Sequence, residues 1–381
     1  MKIGINGWRL QGRRTGVARY LFNVVRYWDR ALTGDRVSEI NFYAPRPIDR
    51  RELDLPENIR ERVLRPAAPM LVWENLRLGP ASGDDVLFCP SYSRPLTARR
   101  RTVVTLFEAT LKLHPEQFPR EHWHTLPAAY LALYQWSGRH ATLVLTTTEA
   151  ARRDLTEAYG IDPEKIRVVP LAPPEDFQPL PGDPRLPGIR AGNVGADVPF
   201  FLFVGKMTPR RNVPLLMRAF ADFKRENPSL PHRLLVVGLN TVHLDLAALS
   251  RGLSLGETFA HREYVSDEDL HLLYNAAEAF VLPYSYEALS LTTMEAQANG
   301  LPVITVDAPG LREVTGGKAL LLPSPLTAAA VCGAMTRIAT DPALRRRLSE
   351  DGLEFVRQFS WRRTSRETLA VLEEAAQAAG A

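Results

Sequence analysis

The sequence predicts an α/β protein built from two doubly wound parallel sheets. Three observations carry that expectation. Short apolar runs recur along the chain, each followed by a turn and an amphipathic stretch, which is the pattern of parallel strands joined by helices. A stretch rich in proline and glycine parts these runs into two sets. The length of 381 residues also exceeds what one ordinary core organises, so two domains of roughly 150 to 200 residues are expected.

In the first half, strands are expected at Lys2 to Ile5, Ile40 to Ala44, Asp85 to Cys89, Thr102 to Phe107, Thr142 to Thr147 and Ile166 to Leu171. The second half offers Phe200 to Gly205, Arg233 to Gly238, Ala277 to Pro283, Pro302 to Val306 and Ala319 to Pro323. Between them, Leu171 to Gly188 carries so many prolines and glycines that it reads as a linker. The expected domains are therefore 1–180 and 181–360. An amphipathic helix after Trp361, over 361–381, is expected to pack across both.

Composition is that of a packed globular enzyme, and the net charge of +4 is small. It agrees with anionic partners such as nucleotide phosphates and gives no support for nucleic acid. Two cysteines, Cys89 and Cys332, exclude a disulfide framework and point to a reducing cytoplasm. Met1 runs straight into a strand pattern, so no signal peptide is expected, and no apolar run is long enough to span a bilayer. Peripheral contact at the inner face of a membrane stays open, the Arg99-Arg100-Arg101 run reading equally as a solvated loop.

Ligands of doubly wound sheets bind beyond the carboxyl ends of the strands, and the chemistry-bearing residues follow strands here. After Pro283, Ser290 or Thr292 can cap a helix that Asn299-Gly300 closes, placing Glu287 in the loop and Glu295 about one turn into the helix. The free amides from Ser290 to Thr293 form a ready site for a phosphate. Carboxylates on either side of that site would repel the anion, but they suit the vicinal hydroxyls of a nucleotide sugar. The plainer alternative is a surface acid at Glu287 and a dipole-favoured acid at Glu295.

A second strand ends at Gly205, and Lys206, Arg210 and Arg211 crowd the start of the next helix near Asn212 or Val213. Cations at the positive end of a helix dipole are unfavourable unless an anion joins them, so the arrangement suggests a phosphate; solvated loop charges are the alternative. A third loop holds Gly12 and Gly16 with Arg13, Arg14 and Arg19, and reads equally as a phosphate-approaching turn or a plain strand-to-helix connection. There is no His-Glu-x-x-His, no Cys-x-x-Cys and no Gly-x-Ser-x-Gly, so zinc hydrolysis and the nucleophile-elbow hydrolases have no anchor. Asp84-Asp85 reads as the polar entry to a strand, and Ser266 with Asp267, Glu268 and Asp269 as a helix cap.

Taken together, these stretches resemble the retaining glycosyltransferases of family four, which have the GT-B fold. Glu287 and Glu295 match the family's E-x7-E motif, and Val204 to Asn212 is similar to its Gly-Arg-x-x-x-x-Lys segment. Tyr264 to Pro283 and Asn299 to Ile304 are also typical. Trp73 to Leu78, Asp85 to Leu96 and His114 to Pro119 resemble bacterial mannosyltransferases of polysaccharide assembly.

The resemblance implies a metal-independent hexosyltransferase without a resident cofactor, GDP-mannose being the favoured donor and UDP-sugars the alternative. Its acceptor would be a glycan, a lipid-linked sugar or a small molecule. By position, Lys206 and Arg211 would bind the diphosphate, Glu295 the ribose and Glu287 the donor sugar. Gly205, Ser290, Leu291 and Thr292 would approach phosphate and sugar, Val265 the base, and Gly16 the diphosphate from the other domain. Phe107 and Glu108 stand on the acceptor or sugar side, Phe107 replacing the family's usual histidine. Ala288-Leu289-Ser290 replaces the common Gly-Phe-Gly. These departures keep two other readings open: a non-catalytic GT-B protein that binds nucleotide or glycan, and a sugar-nucleotide epimerase on the same architecture.

Overall fold

The computed structural model describes residues 1–11, 16–48, 55–115, 127–284 and 286–378. The chain divides into two units, the first comprising Met1–Leu113, Trp123–Leu171 and Phe359–Ala381, the second His114–His122 and Ala172–Gln358. The expected boundary after 180 lies further along the same proline-rich stretch.

In the first unit, β1 (Lys2–Asn6), β2 (Glu39–Ala44), β3 (Ile59–Val63), β4 (Val86–Cys89), β5 (Arg101–Thr105), β6 (Leu143–Thr146) and β7 (Ile166–Val168) form one sheet in the order β3-β2-β1-β4-β5-β6-β7. All pairings are parallel; Ile5, for instance, lies opposite Phe42 on one side and Phe88 on the other. Both faces are covered, which is why the central strands read as continuous apolar runs. Ile3, Ile5, Phe42, Phe88, Val103 and Val144 are fully buried.

The Trp361–Gln377 helix, capped by Ser360, belongs to this first unit. It packs on the Gly16–Val25 helix and on β4, β5 and β6. Two hydrogen bonds fix its depth: Ser365 Oγ donates to the Val24 carbonyl at 2.6 Å, and Trp28 Nε1 donates to the Ser365 carbonyl at 3.1 Å.

The second unit repeats the plan with β8 (Phe200–Val204), β9 (Arg233–Val237), β10 (Phe259–Arg262), β11 (Ala279–Leu282), β12 (Val303–Val306) and β13 (Leu320–Leu322), ordered β10-β9-β8-β11-β12-β13 and parallel throughout. Two strands, β3 and β10, are absent from the expected set. Both are edge strands whose sequences, Ile-Arg-Glu-Arg-Val and Phe-Ala-His-Arg, lack an apolar run because at least one face is wet. A further correction falls in the linker: Leu186–Val194 is helical, with Pro187 in the first turn, where proline's missing amide costs nothing.

Each sheet reverses its winding once, between β1 and β4 in the first unit and between β8 and β11 in the second. Beyond the carboxyl ends of those strand pairs the outgoing loops diverge and leave a crevice.

Candidate functional site

At the second crevice, β8 delivers Gly205-Lys206 and β11 delivers Tyr284 to Ser290. Gly205 has φ 150°, and a Cβ there would lie 2.0 Å from Arg211 Nη1 and 3.1 Å from the Tyr284 hydroxyl. Only glycine lets the loop fold this tightly over the guanidinium. Arg211 in turn lies 5.0 Å from the centre of the Tyr284 ring, a cation–π contact. Its Nε is buried and has no hydrogen-bond partner among the described residues. Burial pushes the Tyr284 phenol well above its ordinary value against the opposing pull of Arg211, so the ring stays neutral beneath the cation.

The chain then passes through Asn212, at φ 52°, into the Val213–Glu226 helix. Asn is among the few side chains that adopt the left-handed conformation readily. Lys206 is exposed at the rim of the loop, whereas Arg211 is half-buried. Position alone assigned both to one anion, and the structure differentiates them: Arg211 is oriented by packing and Lys206 is a solvated charge.

Glu287 is buried, and Arg210 Nη2 lies 3.8 Å from its Oε2. Its backbone is held from behind by the start of the next helix, since a Cβ on Gly310 would come 2.5 Å from the Glu287 carbonyl oxygen and 2.7 Å from that of Ala288. Ser290 caps the Leu291–Ala298 helix, its Oγ accepting from the Thr293 amide at 3.4 Å. Leu291 and Thr292 are half-buried at the opening of that helix. Glu295 is buried on the inner face and accepts from the Tyr274 hydroxyl at 2.9 Å. Each carboxylate thus has a side-chain neighbour from another element, Arg210 for Glu287 and Tyr274 for Glu295. Val265 is half-buried where β10 gives way to the Ser266-capped helix.

The structure thus brings Gly205, Arg211, Glu287, Ser290 and their supports together within one unit. Gly16, Phe107 and Glu108 belong to the first unit. Gly16 opens the Gly16–Val25 helix and is exposed. Phe107 packs edge-on against Tyr20 at 5.1 Å and Tyr92 at 5.8 Å, forming an apolar wall, with Glu108 half-buried beside it. Gly12, Arg13, Arg14, Phe118 and Trp123 lie outside the described residues.

Three supporting residues escaped the sequence reading, Tyr284 under Arg211, Tyr274 on Glu295 and Gly310 behind the loop, and Arg210, read there as a phosphate-side cation, lies beside Glu287. Tyr284 carried a signal, since it follows β11 at the crevice, and Gly310 a fainter one, since it follows the neighbouring β12. Tyr274 carried none, because a tyrosine on an apolar helical face looks like core.

The first crevice holds its own buried polar group. Asn6 ends β1, Ser93 follows β4, and the carboxylate of Glu74, fully buried, accepts from Asn6 Nδ2 at 2.8 Å and from Ser93 Oγ at 2.9 Å. Burial raises this carboxyl to about 7 despite those hydrogen bonds and the nearby charge of Arg9. Asp84, by contrast, is committed to Asn41 at 2.7 Å and Tyr43 at 2.8 Å within the sheet. No cluster of three metal-ligating side chains occurs among the described residues.

With this geometry in place, comparison with known proteins is decisive about the family. The glycosyltransferase family 4 domain matches residues 14–172, and the group 1 glycosyl transferase domain matches 189–355. Together they take in most of the chain. It belongs to glycosyltransferase family 4. Among curated relatives of this family 4 chain, the D-inositol 3-phosphate glycosyltransferase of Kineococcus radiotolerans is 34% identical over 62% of this chain and 58% of its own. The aligned stretch thus spans less than two-thirds of that relative. The O-antigen chain mannosyltransferase B of Escherichia coli is 27% identical over 71% of this chain and 69% of its own. Among solved structures, sucrose-phosphate synthase of Thermosynechococcus elongatus superposes with a TM-score of 0.74 at 20% identity, over 98% of both chains. HepE of Anabaena, solved with UDP-glucose, gives 0.73 at 16% identity over 97% of this chain and 99% of its own. These likenesses establish the GT-B fold for the family 4 chain.

Proposed function

We propose that the protein is a retaining hexosyltransferase that takes a sugar from a nucleoside diphosphate and places it on an acceptor hydroxyl. The observation that carries this reading is Arg211, held over Tyr284 with its Nε unpartnered among the described residues, one loop away from the Ser290-capped helix end. A preoriented cation and free helix amides stabilise the negative charge that grows on the departing diphosphate, and they need no reorganisation as it forms. Lys206, exposed at the rim, adds a second charge once the donor is seated. These two cations supply the neutralisation that a metal would otherwise provide, so turnover in chelator is the expected behaviour.

Glu295 receives the ribose hydroxyls by turning from Tyr274, and Glu287 accepts from hydroxyls of the donor hexose. In front-face substitution the bond from the anomeric carbon to the diphosphate oxygen breaks as the acceptor oxygen bonds to the same face. The acceptor proton passes to the departing phosphate oxygen, so no enzymic nucleophile is required. The first unit takes the acceptor. Mannose from GDP-mannose is the donor favoured by likeness to the O-antigen mannosyltransferase, and UDP-sugars are the next candidates, HepE having been solved with UDP-glucose.

The test is incubation with GDP-mannose and UDP-sugars in chelator, followed by proton NMR of the released or transferred sugar. Release with retained anomeric configuration supports the reading. Binding without release favours a non-catalytic nucleotide- or glycan-binding protein, for which the apolar wall at Phe107 is the motive. An altered sugar without transfer favours an epimerase.

A further inference from the structure

In the first unit, the segment from Met70 to Ala81 is helical and includes a π-helical stretch at Glu74–Leu78. Its inner face buries Trp73, Glu74 and Leu78. Its outer face leaves Val72 at 47% and Leu76 at 65% exposure, about one turn apart. A third apolar side chain joins them from the loop after β4. Leu96, 57% exposed, donates its amide to Asn75 Oδ1 at 2.6 Å, and Thr97 Oγ1 donates to the Asn75 carbonyl at 2.8 Å, which pins the loop alongside Leu76.

The same loop is tied to the Pro127–His140 helix. Arg94 donates its amide to Ser137 Oγ at 3.2 Å and lays its guanidinium 5.2 Å from the centre of the half-buried Trp136 ring. That helix is apolar or uncharged until Arg139, and its hydrophobic residues are not confined to one face.

Charge in this region has one sign. Leu64 to Gly83 contains a single acid, Glu74, which is fully buried; Cys89 to Phe107 and Pro127 to His140 contain none. Arg77, Arg99 and Arg100 are exposed around the apolar side chains. Exposed apolar side chains, accompanied by exposed arginines and by no exposed acid within these segments, match the headgroup boundary of an anionic bilayer. The long arginine stems reach phosphates while Leu76 and Leu96 enter the acyl edge. No helix among the described residues is long and apolar enough to cross a membrane, so attachment through this surface would be peripheral.

We propose that this face, centred on Leu76 and Leu96 and rimmed by Arg77, Arg99 and Arg100, docks the protein on anionic lipid bilayers. A protein partner is the less favoured occupant, because the exposed apolar side chains are few and the exposed charges beside them in these segments are all arginines. The inference is independent of the transferase reading.

The test is flotation of the full chain with vesicles of phosphatidylglycerol and phosphatidylcholine, against vesicles of phosphatidylcholine alone. Binding to the anionic vesicles, weakened as salt is raised toward about 0.5 M, is expected. Paired Leu76→Asp and Leu96→Asp, and separately paired Arg99→Glu and Arg100→Glu, should each lower the partition coefficient by roughly tenfold or more. Thermal midpoint and nucleotide affinity, read in parallel, should not move. The salt series on the unaltered chain tests the proposal even if a variant folds poorly. No binding to anionic vesicles, equal binding to neutral ones, or well-folded variants that bind like the parent would each overturn it, whichever acidic protein the face took instead.

Discussion

Arg211 and Glu74 show how the surroundings of a single side chain set what it can do. Arg211 is fixed by a ring beneath it and by the absence of a Cβ at Gly205, so its value lies in geometry as much as in charge. Arg211→Ala should lower donor turnover by about 100- to 1,000-fold, measured as sugar release under saturating donor. Arg211→Lys should recover little of it, since an ammonium neither spreads over the ring nor offers a planar fork; near-parental turnover in Arg211→Lys would reduce the residue to a point charge. Glu74 presents the reverse case, a carboxyl that burial has made reluctant to ionise. Its folded value near 7 lies above the ordinary 4.5, so the folded state binds the proton more tightly than the unfolded chain. This group therefore costs no stability below about pH 4.5, costs progressively more as pH rises toward 7, and is constant above, the full effect being on the order of 3 kcal/mol. Glu74→Gln should gain stability relative to the parent between about pH 5 and pH 8 in urea unfolding, with the two profiles converging at the acid end. Parallel profiles would show that the carboxyl does not titrate in that window.

At the scale of elements, the crevice is a set of loops pressed together at points where side chains have been removed. A methyl group at position 310 would strike the carbonyl oxygens of Glu287 and Ala288, which belong to a different strand-to-helix connection. Gly310→Ala should therefore cost about 1–3 kcal/mol and also weaken donor binding, because the Glu287 loop must move. Thermal unfolding and nucleotide titration on the same variant check both effects; a lost midpoint with unchanged affinity would separate the loop from the site. The strand-to-helix alternation was legible because central parallel strands are apolar on both faces. Strands β3 and β10 were not, because an edge strand with a wet face has no such run. The Ser290 cap, the Asn299-Gly300 stop and the cationic loop before Val213 were legible for a local reason: caps and helix ends are written in a few consecutive residues. Partners such as Tyr274 for Glu295 and Arg210 for Glu287 were not, since a contact between elements leaves no mark in local spacing.

Across the whole molecule, one architectural plan is used twice, and each copy places its polar residues where the winding of its sheet reverses. In the second unit that point gathers a cation, two carboxylates and a capped helix end. In the first it gathers Asn6, Glu74 and Ser93. The family was legible through long-spaced motifs that survive drift, whereas donor and acceptor depend on loop side chains that vary independently of the fold. The central claim is that the second unit is built to hold a nucleoside diphosphate through Arg211 and Glu295. Calorimetric titration of GDP and UDP in chelator, on the parent and on Arg211→Ala and Glu295→Ala, tests it most directly. The account predicts that one nucleotide binds the parent selectively and that each substitution weakens it by about tenfold or more, as loss of a charge-assisted contact should. Failure of both nucleotides to bind, or equal affinity in all three proteins, would contradict it.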